Sequence, residues 1–150
     1  MERIPPLLEE QVFVELQRAA DAQIHAVTAL LKKRGLSPTQ YNVLRILRGA
    51  GEEGLPCREI AARMIKRVPD VTRLLDRMEA KGWVERRRRK SDRRVVQVWI
   101  TPAGLKLVRS LDDPVRGLHR RRLGRMGEKR LRTLLGLLEE ARKCAACEEG

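Results

Sequence analysis

Read as alternating apolar and polar positions, the chain divides into helices that flank one short strand pair. From Leu7 to about Arg34, the residues Leu8, Val12, Leu16, Ala20, Ile24, Val27 and Leu31 recur every three or four positions, with polar residues between them, so one long helix is predicted. Pro5–Pro6 precede it and Gly35 follows it. Ser37, Pro38 and Gln40 then read as a capping box with proline at the first helical position, opening a helix whose stripe is Tyr41, Leu44 and Leu47. GAGEEG is a loop, LPC a short edge strand, and Arg58 to Met64 a third helix with Ile60, Ala61 and Met64 turned inward. After a turn at Ile65–Arg67, a fourth helix is expected to start at Val68–Pro69 and to end at Gly82. Its buried stripe is Val71, Leu74, Leu75 and Met78, while Pro69, Arg73, Asp76, Arg77 and Ala80 point the other way.

A strand pair comes next. Val96, Val98 and Ile100 alternate with Val95, Gln97 and Trp99, so both strand faces carry apolar groups and one is not fully solvated. Thr101–Pro102 caps a helix through Leu105, Leu107, Val108 and Leu111, which Pro114 should kink or break. The following VRGLHRRRLGRMGEKR is basic and carries three glycines, and a last helix runs from about Glu128 to Cys144 along Leu131, Leu134, Leu135, Leu138 and Ala141.

Charge changes the picture most. The 150 residues carry a formal net charge of +13, and seven cations against one acid fall between Arg86 and Arg94. A helix with a free polar face beside a cationic hairpin suits duplex DNA, because a helix fits the major groove while arginines meet phosphate. Hydrophobic residues make up 42% and aromatics only 3%, so the core must be mainly Leu, Val, Ile and Ala. No apolar run is long enough to cross a bilayer, and MERIPPLLEEQ does not read as a secretory signal. Three cysteines form no disulfide framework in such a chain, and the expected compartment is the cytoplasm.

Several segments together carry a resemblance. PDVTRLLDRMEAKGWVERRR, SDRR and VVQVWITPAG, with LSPTQYNVLRIL and LPCREIAARM upstream, resemble the winged helix-turn-helix of the multiple-antibiotic-resistance regulator (MarR) family over roughly residues 35 to 105. The resemblance implies a mainly α fold with a small β-wing, in which N- and C-terminal helices form a dimerisation region. Residues 1–36 would be the N-terminal dimerisation helix, 37–101 the DNA-binding domain and 102–150 the C-terminal dimerisation helices. In that family the first, fifth and sixth helices interdigitate across a two-fold axis. It further implies a homodimeric, sequence-specific transcription regulator, usually a repressor, on a near-palindromic operator of double-stranded DNA. A small aromatic or phenolic ligand would release it.

Candidate residues follow from both readings. Arg73 and Arg77 lie four apart on the polar face and can pair bidentately with guanine, with Pro69 and Thr72 beside them. Asp70 could accept from cytosine or serve the helix dipole. Lys66, Arg67, Arg86 and Arg88 are candidate phosphate contacts. The resemblance places a minor-groove arginine at Arg94, beside Arg93, with Asp92 shaping the wing tip. His25 and Tyr41 are candidate effector-pocket residues, against surface exposure for His25 and core packing for Tyr41.

Other chemistry has little support. Serine occurs only at 37, 91 and 110, and there is no phosphate loop and no HExxH motif, so no enzyme, cofactor or metal is expected. Two alternatives stay open: a nonspecific architectural or RNA-binding protein working by charge, and a thiol or metal sensor using Cys144 and Cys147. Cys57 sits at a helix start, where a small buried side chain competes with a reactive thiolate. No cysteine precedes it, which argues against the family's peroxide-sensing branch.

Overall fold

The computed structural model describes residues 5, 7–88, 92 and 94–147, which form two compact units, 1–113 and 114–150. In the first unit, α1 (Leu8–Lys32), α2 (Pro38–Ala50), α3 (Cys57–Arg63), α4 (Val71–Ala80) and α5 (Pro102–Ser110) surround a three-stranded antiparallel sheet. Its strands are β1 (Leu55–Pro56), β2 (Val84–Arg88) and β3 (Val96–Ile100), in the order β1-β3-β2. Val84 pairs with Ile100 and Arg88 with Val96 along the hairpin, and Leu55 pairs with Val98. The fold is mainly helical with a small β-wing, as expected.

The caps show why each helix begins where it does. Ser37 Oγ accepts from the Gln40 N–H at 3.1 Å while Gln40 Oε1 accepts from the Ser37 N–H at 3.0 Å, closing the predicted capping box. The fourth helix begins later than expected. Asp70 is not helical, with φ −134° and ψ 85°, and its carboxylate accepts from the Arg73 N–H at 2.8 Å, so Asp70 is the N-cap and Pro69 lies before it. The capped donor would otherwise be one of four orphans at a helix start. At the other end Gly82 has φ +73°, its N–H donates to Glu79 O, and the Trp83 N–H donates to Met78 O. This is a Schellman end, whose left-handed residue is best supplied by glycine.

Leu31, Val43, Leu44, Leu47, Ile60, Leu75, Met78, Val84, Val98, Val108 and Leu111 are buried to 1% exposure or less, drawing on α1 to α5 and both hairpin strands. Each such side chain contributes about 1.5–3 kcal/mol by leaving water. One face of the hairpin is covered by the loop before β1: Gln97 Nε2 donates to Glu53 O at 2.9 Å and Trp99 Nε1 to Glu52 O at 3.1 Å.

Pro114 stands in the first turn of α6 (Asp112–Leu123), where its missing N–H costs nothing, and the chain breaks just before it, at Leu111. Arg48 Nη1 donates to both carboxylate oxygens of Asp112 at 2.9 Å, tying α2 to that break. In the second unit the glycine-containing basic segment continues α6 to Leu123, passes through a 3-10 turn at Gly124–Met126, and enters α7 (Glu128–Cys147).

Candidate nucleic-acid interface

The polar face of α4 is shaped by what it buries. With Leu74, Leu75 and Met78 turned into the core, Thr72, Arg73, Asp76 and Arg77 are left in solvent. Among the described residues, neither guanidinium of Arg73 and Arg77 is held by a carboxylate. Asp76, the acid between them, is instead drawn to Arg86 Nη2 of β2 at 2.5 Å. Asp70, the acid before them, is occupied by the cap. Pro69 is exposed just before that cap, and Lys66 and Arg67 are exposed in the turn leading to α4. The turn is held by Asn42 Oδ1, which accepts from the Ile65 N–H at 2.9 Å.

Arg86, a candidate phosphate contact, is engaged within the protein: Glu79 accepts from its backbone N–H at 2.9 Å, from Nε at 3.0 Å and from Nη2 at 2.7 Å. With Asp76 also bound, its side chain is only 20% exposed. The Arg86 hydrogen bond holds the Glu79 carboxyl below the usual glutamate range, and Glu79 in turn raises Arg86. Glu79 and Asp76 therefore belong to this region although neither is cationic. The sequence signal was available: two acids three apart on a helix followed by a run of arginines. Arg87 pairs with Glu85 at 2.8 Å, whereas Arg88 is exposed at the end of β2.

At the wing tip Asp92 Oδ1 accepts from the Arg94 N–H at 3.0 Å and Asp92 O from the Val95 N–H at 3.1 Å. This local turn carries an exposed Arg94. Arg93 lies outside the described residues. Thr101 joins the wing to the helix before it: its Oγ1 donates to Gly82 O at 2.6 Å and accepts from the Gly104 N–H at 3.1 Å, so one hydroxyl serves the end of α4 and the start of α5.

The other candidates take quieter places. Tyr41 is a core residue at 8% exposure, its ring 5.9 Å from the Arg45 guanidinium, and burial pushes its hydroxyl pKa up. His25 is exposed on α1. A surface depression on α2 is lined by Asn42, Arg45, Ile46, Arg48, Gly49 and Ile65, and another by residues Met126 to Leu137; neither includes His25 or Tyr41. Cys57 is half-buried and burial raises its thiol pKa, which favours the packing role. Cys144 and Cys147 are exposed, and no cluster of three metal-binding side chains occurs among the described residues. No helix among the described residues is long and apolar enough to cross a membrane.

The sequence model of the MarR family matches residues 36–96, from the cap of α2 to the start of β3. The transcriptional repressor IacR of Pseudomonas putida is 30% identical over 131 residues, which cover 87% of this chain and 77% of the repressor. The chain belongs to the MarR family. Another member, the transcriptional regulator TtmR of Methylorubrum extorquens, is 36% identical over 108 residues; the match takes in 72% of this chain and 54% of TtmR, so the chain spans about half of that relative. The crystal structure of a MarR transcription factor from Planctomyces limnophilus superposes with a TM-score of 0.70 at 39% identity, covering 91% of this chain and 98% of that one. Membership accounts for the order of the elements here, with α3 and α4 as the helix-turn-helix and β2–β3 as the wing.

Proposed function

We propose that this MarR-family chain is a homodimeric, sequence-specific DNA-binding transcription regulator, a repressor released by a small aromatic or phenolic ligand. The observation that carries the DNA-binding part is the pair Arg73 and Arg77, exposed on α4 with no carboxylate among the described residues holding either guanidinium, while Asp76 and Asp70 are engaged elsewhere. Each arginine can give guanine two parallel hydrogen bonds in the major groove. Thr72 and Pro69 flank that face, Lys66, Arg67 and Arg88 meet phosphates, and Arg94 enters the minor groove from the Asp92 turn. Arg93 acts beside it.

Dimerisation is supported by apolar surface that one chain leaves bare. On α1, Leu8, Val12, Phe13 and Ile24 are 51–70% exposed, and on α7 Leu135 and Leu137 are each 58% exposed. In this reading residues 1–36 and 102–150 form the dimer and 37–101 bind DNA. Two recognition helices then meet successive major grooves about one helical turn apart.

Selection of bound duplexes from a random pool tests this reading. It requires an enriched palindrome with half-sites about 10 base pairs apart. A pool that stays random, with binding that disappears as salt rises, would leave only a charge-driven architectural protein. The effector part has its own test, since a ligand must favour the non-binding geometry to release DNA. A His25→Ala/Tyr41→Phe variant with unchanged ligand-induced release would remove those two residues from the mechanism.

A further inference from the structure

The last turn of α7 holds two thiols that the DNA-binding reading does not use. Cys144 and Cys147 are three residues apart, within one helical turn, and both are exposed and unbridged. Side chains so spaced have Cβ atoms about 5–6 Å apart. A disulfide needs about 3.5–4.5 Å, so the helix as it stands holds the pair too far apart for a direct S–S bond. A bridging atom relieves that constraint, because metal–sulfur bonds of about 2.3 Å on each side let the two sulfurs sit well beyond bonding distance.

The surroundings narrow the choice of ion. No third Cys, His, Asp or Glu completes a cluster with these thiols among the described residues. Structural zinc takes four protein ligands, so zinc is poorly served. Two soft thiolates with no third donor among the described residues suit an ion content with two ligands, and thiolates select monovalent copper. We propose that Cys144 and Cys147 form a two-coordinate clamp for a soft, thiophilic d10 ion of the Cu(I) class. The step balances as Cu(I) plus two thiols giving a copper bis-thiolate and two protons, with no change of oxidation state. The product carries one net negative charge.

Anaerobic titration of the intact protein with Cu(I), in competition with bicinchoninate, tests the clamp without DNA, so its failure is distinct from failure of the regulator reading. The expected result is one competitor-resistant copper per chain, with thiolate-to-copper absorption in the ultraviolet. Cys144→Ser and Cys147→Ser should each abolish it, and Cys57→Ser should leave it unchanged. Circular dichroism of each variant establishes that the helices persist. Retention of tight copper by either single variant, loss of it in Cys57→Ser, or one copper per two chains would each overturn the proposal.

Discussion

Arg86 of β2 grips Glu79 of α4 through its backbone N–H and two guanidinium nitrogens, at 2.9, 3.0 and 2.7 Å. The most basic segment of the chain is thus joined to the helix that precedes it by a carboxylate. Glu79→Gln should therefore lower stability by about 1 kcal/mol, since a partly exposed pair is screened by solvent. It should also weaken operator binding by mispositioning the wing. Chemical denaturation and fluorescence anisotropy on the same variant read the two effects.

The same contact makes an acid-pH prediction. Because the folded state holds the Glu79 carboxyl below its ordinary value, its stabilisation is fully present above the usual glutamate range and is lost as pH falls through the depressed one. Glu79→Gln should accordingly flatten the acid limb of the stability–pH curve, with wild type and variant converging as pH falls below the usual glutamate range. Parallel unfolding at several pH values would show it; a constant gap between the two proteins would contradict it.

Arg73→Ala and Arg77→Ala should each cost about 1–3 kcal/mol of operator affinity and relax preference at one symmetric position in each half-site. Lys66→Ala should instead weaken binding to all sequences alike and reduce the salt slope by about 1. Binding to a panel of single-base operator variants separates the two behaviours.

Asp70→Ala should destabilise the fold by about 0.5–2 kcal/mol, the usual cost of losing a helix N-cap. Base preference should stay as it was. Asp70→Asn or Asp70→Ser, which retain a capping oxygen, should recover most of the stability in thermal unfolding.

Val12 and Leu16 lie on the exposed stripe of α1, whereas Leu44 is fully buried. Val12→Glu/Leu16→Glu should convert a dimer to monomers in sedimentation velocity and lose the palindromic site. Leu44→Ala should instead cost about 2–5 kcal/mol through the cavity it leaves.

Much of this was legible in the residues because local signals and global packing agree. The Ser37–Gln40 box, the Gly82 stop and the Thr101–Pro102 start each need only neighbours in sequence, and each lies where it was read. The break near Pro114 was also visible, although it falls at Leu111 because proline is tolerated within the first turn of a helix. The start of α4 was displaced because Asp70 competes with Pro69 for the beginning of the helix, and a capping carboxylate prevailed. The role of Arg86 was hidden for a different reason. Its partners Asp76 and Glu79 are ten and seven residues away, and composition shows a cationic run without showing which member is neutralised. Tyr41 was a pocket candidate set against core packing as the commoner outcome, and its burial agrees with the core.

The central claim, that exposed arginines on α4 read a sequence, is tested most directly by one ratio. Affinity for the selected palindrome is measured against a scrambled duplex of the same length at several salt concentrations. The account predicts a preference of about a thousandfold or more that persists while both affinities fall with salt. A ratio near one at every salt concentration would contradict it, leaving phosphate attraction as the whole of the binding.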